Sequence, residues 1–118
     1  MPSKFTRQQS VRVSERHLLS LQVEAQEKGV MMASVMLRMI IMERLASKKS
    51  MEPLRELAAN RPGVGSKGPR IGVRVTVDME GKFQAAITEY AKGEVGGFVQ
   101  AVLAERYDKN SKRKEKHV

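Results

Sequence analysis

The stretch Val11-Arg12-Val13 returns 62 positions later as Val73-Arg74-Val75, and the residues after each copy return with it. Gln22, Glu27, Glu43 and Arg44 recur at the same offset as Gln84, Glu89, Glu105 and Arg106. Apolar character recurs too: Leu21 matches Phe83, Ala25 matches Ile87, Met36 matches Phe98 and Ile41 matches Leu103. The register runs without a gap from 8–46 against 70–108. A repeat of this kind constrains the fold first, because a unit too small to cover its own apolar face must bury it against its neighbour.

Within each copy the pattern changes period. Gln8 to Val13 reads as a short strand, and Arg70 to Val77 as its counterpart. Successive side chains of a strand point to opposite faces, so the valines go to one face and the arginine to the other. Ser14 followed by Glu15 predicts a helix N-cap with an acid in the first turn. The helix should run from Glu15 to Lys28 on an apolar stripe of Leu18, Leu21 and Ala25 with Leu19 beside it, and Gly29 should end it. A second helix from Met32 to Ser47 has almost no polar face and is expected to be buried on most sides. The five methionines between 31 and 42 then read as core fillers. In the second copy the helices are expected over Asp78 to Lys92, capped by Asp78, and Gly96 to Lys109.

The segments outside the copies are polar. Residues 1–7 read as a mobile basic arm and 109–118 as a disordered basic tail. The linker, 47–69, has a short helix predicted over Met51 to Asn60, with Pro53 near its first turn, and a Gly- and Pro-rich connector after it. It is long enough for the second strand to fold back antiparallel to the first. The expected fold class is therefore mainly α with one two-stranded antiparallel β-ribbon, the two copies folding as one domain.

Composition narrows the function classes. A formal net charge of +9 over 118 residues points to a polyanionic partner. Cysteine is absent, which excludes disulfides and thiolate metal sites and fits a reducing cytoplasm. The N-terminus lacks the apolar core of a signal peptide. The apolar run from Val30 to Met42 is broken by Ser34 and Arg38 and is too short to span a membrane. With only His17 and His117, no metal cluster or nucleophile triad assembles. The Gly63 to Gly68 segment lacks the order of a phosphate loop. Neither an enzyme nor a bound cofactor or metal is expected.

Strand, helix, turn, helix with a V-R-V strand resembles the ribbon-helix-helix family of DNA-binding proteins, the Arc and MetJ type, over residues 8–46 and again over 70–108. Two chains usually supply the two copies. The layout here is similar to the tandem members found in conjugative relaxosomes and T-DNA transfer, in which one chain carries both and forms a single-chain pseudo-dimer. The resemblance implies an antiparallel ribbon in the DNA major groove. Its base-reading positions map onto Ser10, Arg12 and Ser14 in the first copy and Gly72, Arg74 and Thr76 in the second. Ser14 is equally suited to serve as the helix cap. The resemblance also implies phosphate contacts at the start of each second helix, on Met31, Met32 and Ala33 and on Gly93, Glu94 and Val95. Lys28 and Lys92 supply charge there, although Glu94 departs from the pattern.

The expected function is sequence-specific binding of double-stranded DNA as a transcriptional repressor in the cytoplasm. One alternative is an accessory protein of a conjugation relaxosome or plasmid partition complex, which would meet a relaxase or partition partner and self-associate along DNA. Another is an antitoxin or protein-interaction module, which the basic tail, poor in apolar anchors, disfavours. Membrane binding is not expected, because the helices lack an exposed apolar face beside their basic residues.

Overall fold

The structure is a computed structural model that describes residues 4–60 and 68–108. It is mainly helical, with five α-helices and a single two-stranded antiparallel sheet among the described residues. In chain order these are β1 (Gln9–Arg12), α1 (Glu15–Glu27), α2 (Ala33–Ala46), α3 (Glu52–Ala59), β2 (Arg70–Val73), α4 (Glu80–Ala91) and α5 (Val95–Leu103). A 3-10 turn, Val77–Met79, leads into α4, and a π-type turn, Ala104–Asp108, continues α5.

The two strands pair with each other. Gln9 faces Val73, Ser10 faces Gly72, Val11 faces Ile71 and Arg12 faces Arg70. The inward side chains Val11, Ile71 and Val73 are buried, and so are Val13 and Val75 just beyond the strands. They close over a core of Leu21, Met36, Leu37 and Ile41 from α1 and α2 and of Phe83, Phe98, Val99 and Leu103 from α4 and α5. Phe83 and Phe98 meet edge to face at 6.0 Å, a favoured arrangement of aromatic quadrupoles.

Local chemistry sets the helix ends. Ser14 is extended, and its hydroxyl accepts from the His17 N–H at 3.1 Å, so it caps α1. At the other end Gly29 takes φ 70°, and Val30 N–H reaches back to the Ala25 carbonyl at 2.7 Å. That six-to-one bond is a Schellman ending, which a left-handed residue makes cheap. The linker helix α3 has Pro53 in its first turn and buries Leu54 and Ala58 as it lies across α4 and α5.

Charged contacts tie the halves together. Arg44 of α2 and Glu105 beyond α5 are both buried and meet through Nε to Oε1 at 2.7 Å and Nη2 to Oε2 at 3.2 Å. Arg44 also donates to the carbonyls of Lys49 and Ser50, which fixes the exit of α2. Glu24 of α1 accepts from Arg106 and from the Tyr107 hydroxyl, the latter at 2.7 Å, and pairs with Lys28 at 2.8 Å. Asp108 closes the same seam on Arg16 at 2.6 Å and His17 at 3.0 Å.

Several expectations are corrected. The arm is not free along its length: Thr6 N–H donates to the Val75 carbonyl, Val77 N–H donates to the Lys4 carbonyl, and Phe5 bridges Thr76. Three residues, 6–8, there oppose only 74 and 75, a one-residue bulge that bends the chain. β2 ends at Val73 rather than Val77. Asp78 lies inside the 3-10 turn and caps nothing; Thr76 precedes that turn without a side-chain cap bond. Of the five methionines Met36 is buried in the core and Met42 packs half-buried against it, whereas Met31 is 98% exposed and Met32 and Met39 are also exposed. Leu19 is exposed as well, because it sits on the side of α1 opposite Leu21. The connector at 61–67 and the tail at 109–118 lie outside the described residues.

The seam should show itself in stability in two ways. Glu105→Ala leaves Arg44 buried without its carboxylate and should cost about 3 kcal/mol in urea denaturation. Arg106 holds the Glu24 carboxyl down at about 2, against burial, which pushes it up, and with help from Lys28 and Tyr107. An unfolded chain, with an ordinary carboxyl, binds its proton first as the pH falls. The stabilisation is therefore complete above about pH 4.5 and is lost as pH drops through about 2. Across that window Glu24→Gln should flatten the pH dependence of the melting temperature, removing on the order of 2 kcal/mol of it.

Candidate nucleic-acid interface

The outer face of the ribbon is built by alternation. With Val11 and Ile71 turned inward, Ser10 and Gly72 turn outward at its centre, and Arg12 and Arg70 turn outward at one end. Gln8 continues this face on the first strand, and Arg74 continues it on the second. A Cβ at position 72 would run into the Gln8 side chain, so the amide of Gln8 lies over the glycine. Ser10, Gln8 and Arg70 are exposed; Arg12 and Arg74 are half-buried.

The two matching arginines are held differently. Arg12 donates from Nη1 to the Gly68 carbonyl at 2.7 Å, which anchors it to the end of the connector. Arg74 lies over the Phe5 ring at 4.8 Å, and Arg38 of α2 lies over the same ring at 4.2 Å. Partial burial lowers the pKa of Arg38, and the charge of Arg74 lowers it further.

Ion pairing sorts the arginines of the molecule. Arg16, Arg44, Arg55 and Arg106 each meet a carboxylate. Among the described residues Arg7, Arg12, Arg38, Arg70 and Arg74 meet none. Four of these five unpaired guanidiniums gather on and beside one face of the ribbon, and Arg7 lies apart from them at the bulge. Comparison with family models, curated proteins and solved structures gives no match. What the face can do must come from its own chemistry.

The predicted site residues divide accordingly. Ser10, Arg12, Gly72 and Arg74 lie on the outer face. Ser14 is engaged as the cap of α1. Thr76 pairs with Phe5, and its hydroxyl is buried with no hydrogen-bond partner among the described residues. Gln8, Arg70 and Arg38 complete the basic face and were missed. Gln8 and Arg70 share the parity of Arg12 and Arg74, and the ribbon's centre at Ser10 and Gly72 brings them in; no comparable signal marks Arg38.

The positions at the second helices are more scattered. Met32 precedes α2 and Glu94 precedes α5, neither with a side-chain cap bond, so Ala33 and Val95 open their helices. Met31 stands out in solvent, Gly93 takes φ 83° and Lys92 takes φ 53°, both at the end of α4. Lys28 is drawn to Glu24 rather than left free. Because Ser14 holds a helix end, Ser14→Ala should lower stability by about 1 kcal/mol in thermal denaturation.

Proposed function

We propose that this chain binds double-stranded DNA with sequence preference by laying its ribbon in the major groove, and that it acts as a transcriptional repressor by occupying its site. The observation that carries this reading is the set of unpaired arginines on the solvent face of a two-stranded ribbon. The major groove admits a ribbon of that width, and an arginine can donate two bonds to guanine O6 and N7. Net charge of +9 supplies the sequence-independent attraction to phosphates on which such reading depends.

The finer architecture in this proposal is a tandem ribbon-helix-helix, with two copies in one chain acting as a pseudo-dimer. What supports it is the register. Ser10 lies opposite Gly72, the residue at its own repeat offset, so an approximate two-fold axis passes through that pair. The boundaries agree: α2 (Ala33–Ala46) maps by the same offset onto 95–108, the span of α5 and its π-type continuation. Ser10, Arg12, Gly72 and Arg74 read bases, with Gln8 and Arg70 beside them. The starts of α2 and α5 are offered to phosphates, where backbone N–H groups and the helix dipole favour an anion.

Selection of bound duplexes from a random pool at physiological salt tests the reading and yields the site. On that site Arg12→Ala combined with Arg74→Ala should weaken binding about a hundredfold and relax the preference, since each bidentate contact contributes about 1–3 kcal/mol. Unchanged affinity and preference in the double variant would overturn it. Mapping the bound sites then decides the role: promoters for a repressor, a transfer origin for a relaxosome accessory.

A further inference from the structure

We infer that Arg38 is a phosphate-binding residue that works on only one side of the ribbon, where Phe5 holds it beside Arg74 so that the two guanidiniums divide backbone and base between them. This rests on the DNA-binding reading above and adds to it a contact outside the strands.

The starting observation is a shared ring. Phe5 is fixed at the end of the ribbon by its bridge to Thr76, with flanking bonds from Thr6 N–H to the Val75 carbonyl and from Val77 N–H to the Lys4 carbonyl. Arg38 and Arg74 both place their guanidiniums against that ring, at 4.2 Å and 4.8 Å. Neither has a carboxylate partner among the described residues. Two like charges are thereby brought together; burial and then the charge of Arg74 make the cation at Arg38 costlier to hold. The ring face attracts each cation but neutralises neither. An anion between or beside them would relieve both.

The chemistry points to a phosphate. Arg38 projects from α2 and not from the strands, so it lies beside the surface that would meet the base edges. A ribbon seated in the groove has a phosphate backbone along each flank, and a planar guanidinium matches phosphate oxygens with two parallel bonds.

The other side of the ribbon is built differently. At the repeat offset of Arg38 the chain has Gln100, whose amide donates to the Arg12 carbonyl at 2.9 Å. That amide carries no charge and already donates to the backbone, so it is no counterpart to the cation at Arg38. Arg12 is braced by the Gly68 carbonyl instead. One half of the DNA site should therefore carry a backbone contact that the other half lacks.

The test uses the full chain and the duplex obtained by selection, with binding measured over a range of salt. Arg38→Gln should weaken binding about tenfold at low salt, lower the slope of log K against log salt by about one, and keep the ranking of DNA sequences. Arg38→Lys retains the charge and should keep most of the slope. Scanning the duplex with single methylphosphonates should reveal one phosphate, on the Arg74 half, whose neutralisation weakens wild-type binding but not that of Arg38→Gln. Thermal melts establish that both variants are folded. If Arg38→Gln keeps the wild-type slope and methylphosphonate pattern while the Arg12 and Arg74 variants lose binding, this inference falls and the DNA-binding reading stands. If the wild-type chain shows no preference among duplexes, both fall.

Discussion

The pairing of β1 with β2 is the constraint on which the rest of the molecule depends. Two strands of four residues each make a sheet too small to be stable in water without a supporting core. Val11, Ile71 and Val73 provide the link by covering helices from both ends of the chain. Since each strand precedes its own pair of helices in a different half of the sequence, pairing the strands brings α1 and α2 against α4 and α5. The same pleat that turns those valines and Ile71 inward turns Arg12, Arg70 and Arg74 outward. Burial and the basic face are two consequences of one alternation.

Charge is distributed to match. Where arginines lie between the two halves, they are paired, and Arg44 with Glu105 shows why: a buried guanidinium without its carboxylate costs more than the pair contributes. Such a pair is an instrument of register as much as of stability, because it fits only when the end of α2 meets the continuation of α5. On the ribbon face the rule is reversed. Water can solvate Arg70, and Arg12 and Arg74 are steadied by a carbonyl and a ring, contacts that leave their charge unneutralised. A face built this way holds its cations in place and still presents them to an anion.

Much of this was legible in the sequence because it is periodic or because it is local chemistry. The repeat of Val-Arg-Val marked where both strands lie, although it overlaps only Val11 and Arg12 of β1 and Val73 of β2; Gly29 marked the end of α1, Ser14 its cap, and the linker helix expected over Met51 to Asn60 lies at Glu52–Ala59. What escaped notice depends on contacts between distant parts. Phe5 is a lone aromatic in a polar terminus, with no period to betray that it would pair beside Thr76 and sit under two arginines. The exposure of Met39 follows from the placement of α3, which lies across α4 and α5 and leaves the outer side of α2 uncovered. The centre of the ribbon could not be read from the repeat either, since any register consistent with the offset keeps the two arginines equivalent. Placing that centre at Ser10 and Gly72 is what brings in Gln8 and Arg70 while Ser14 and Thr76 go to the ends.

At that same centre the two strands differ in the part proposed to read DNA. At the axis one strand offers a hydroxyl and the other offers no side chain at all. The space above Gly72 is filled by Gln8, so an amide from the first strand covers the middle of the second. On the proposed reading, Ser10 and Gln8 would then both come from one copy at the place where a symmetric pair of chains would present the same residue twice. The arginines flanking this centre match in identity and differ in support, Arg12 through Gly68 and Arg74 through Phe5. On the proposed tandem architecture, joining the copies in one chain is what permits this, because a mutation in one half is no longer copied into the other. On the proposed reading, a ribbon so constructed has no physical reason to prefer a palindrome, and its site would be asymmetric where Gln8 and Ser10 reach the groove.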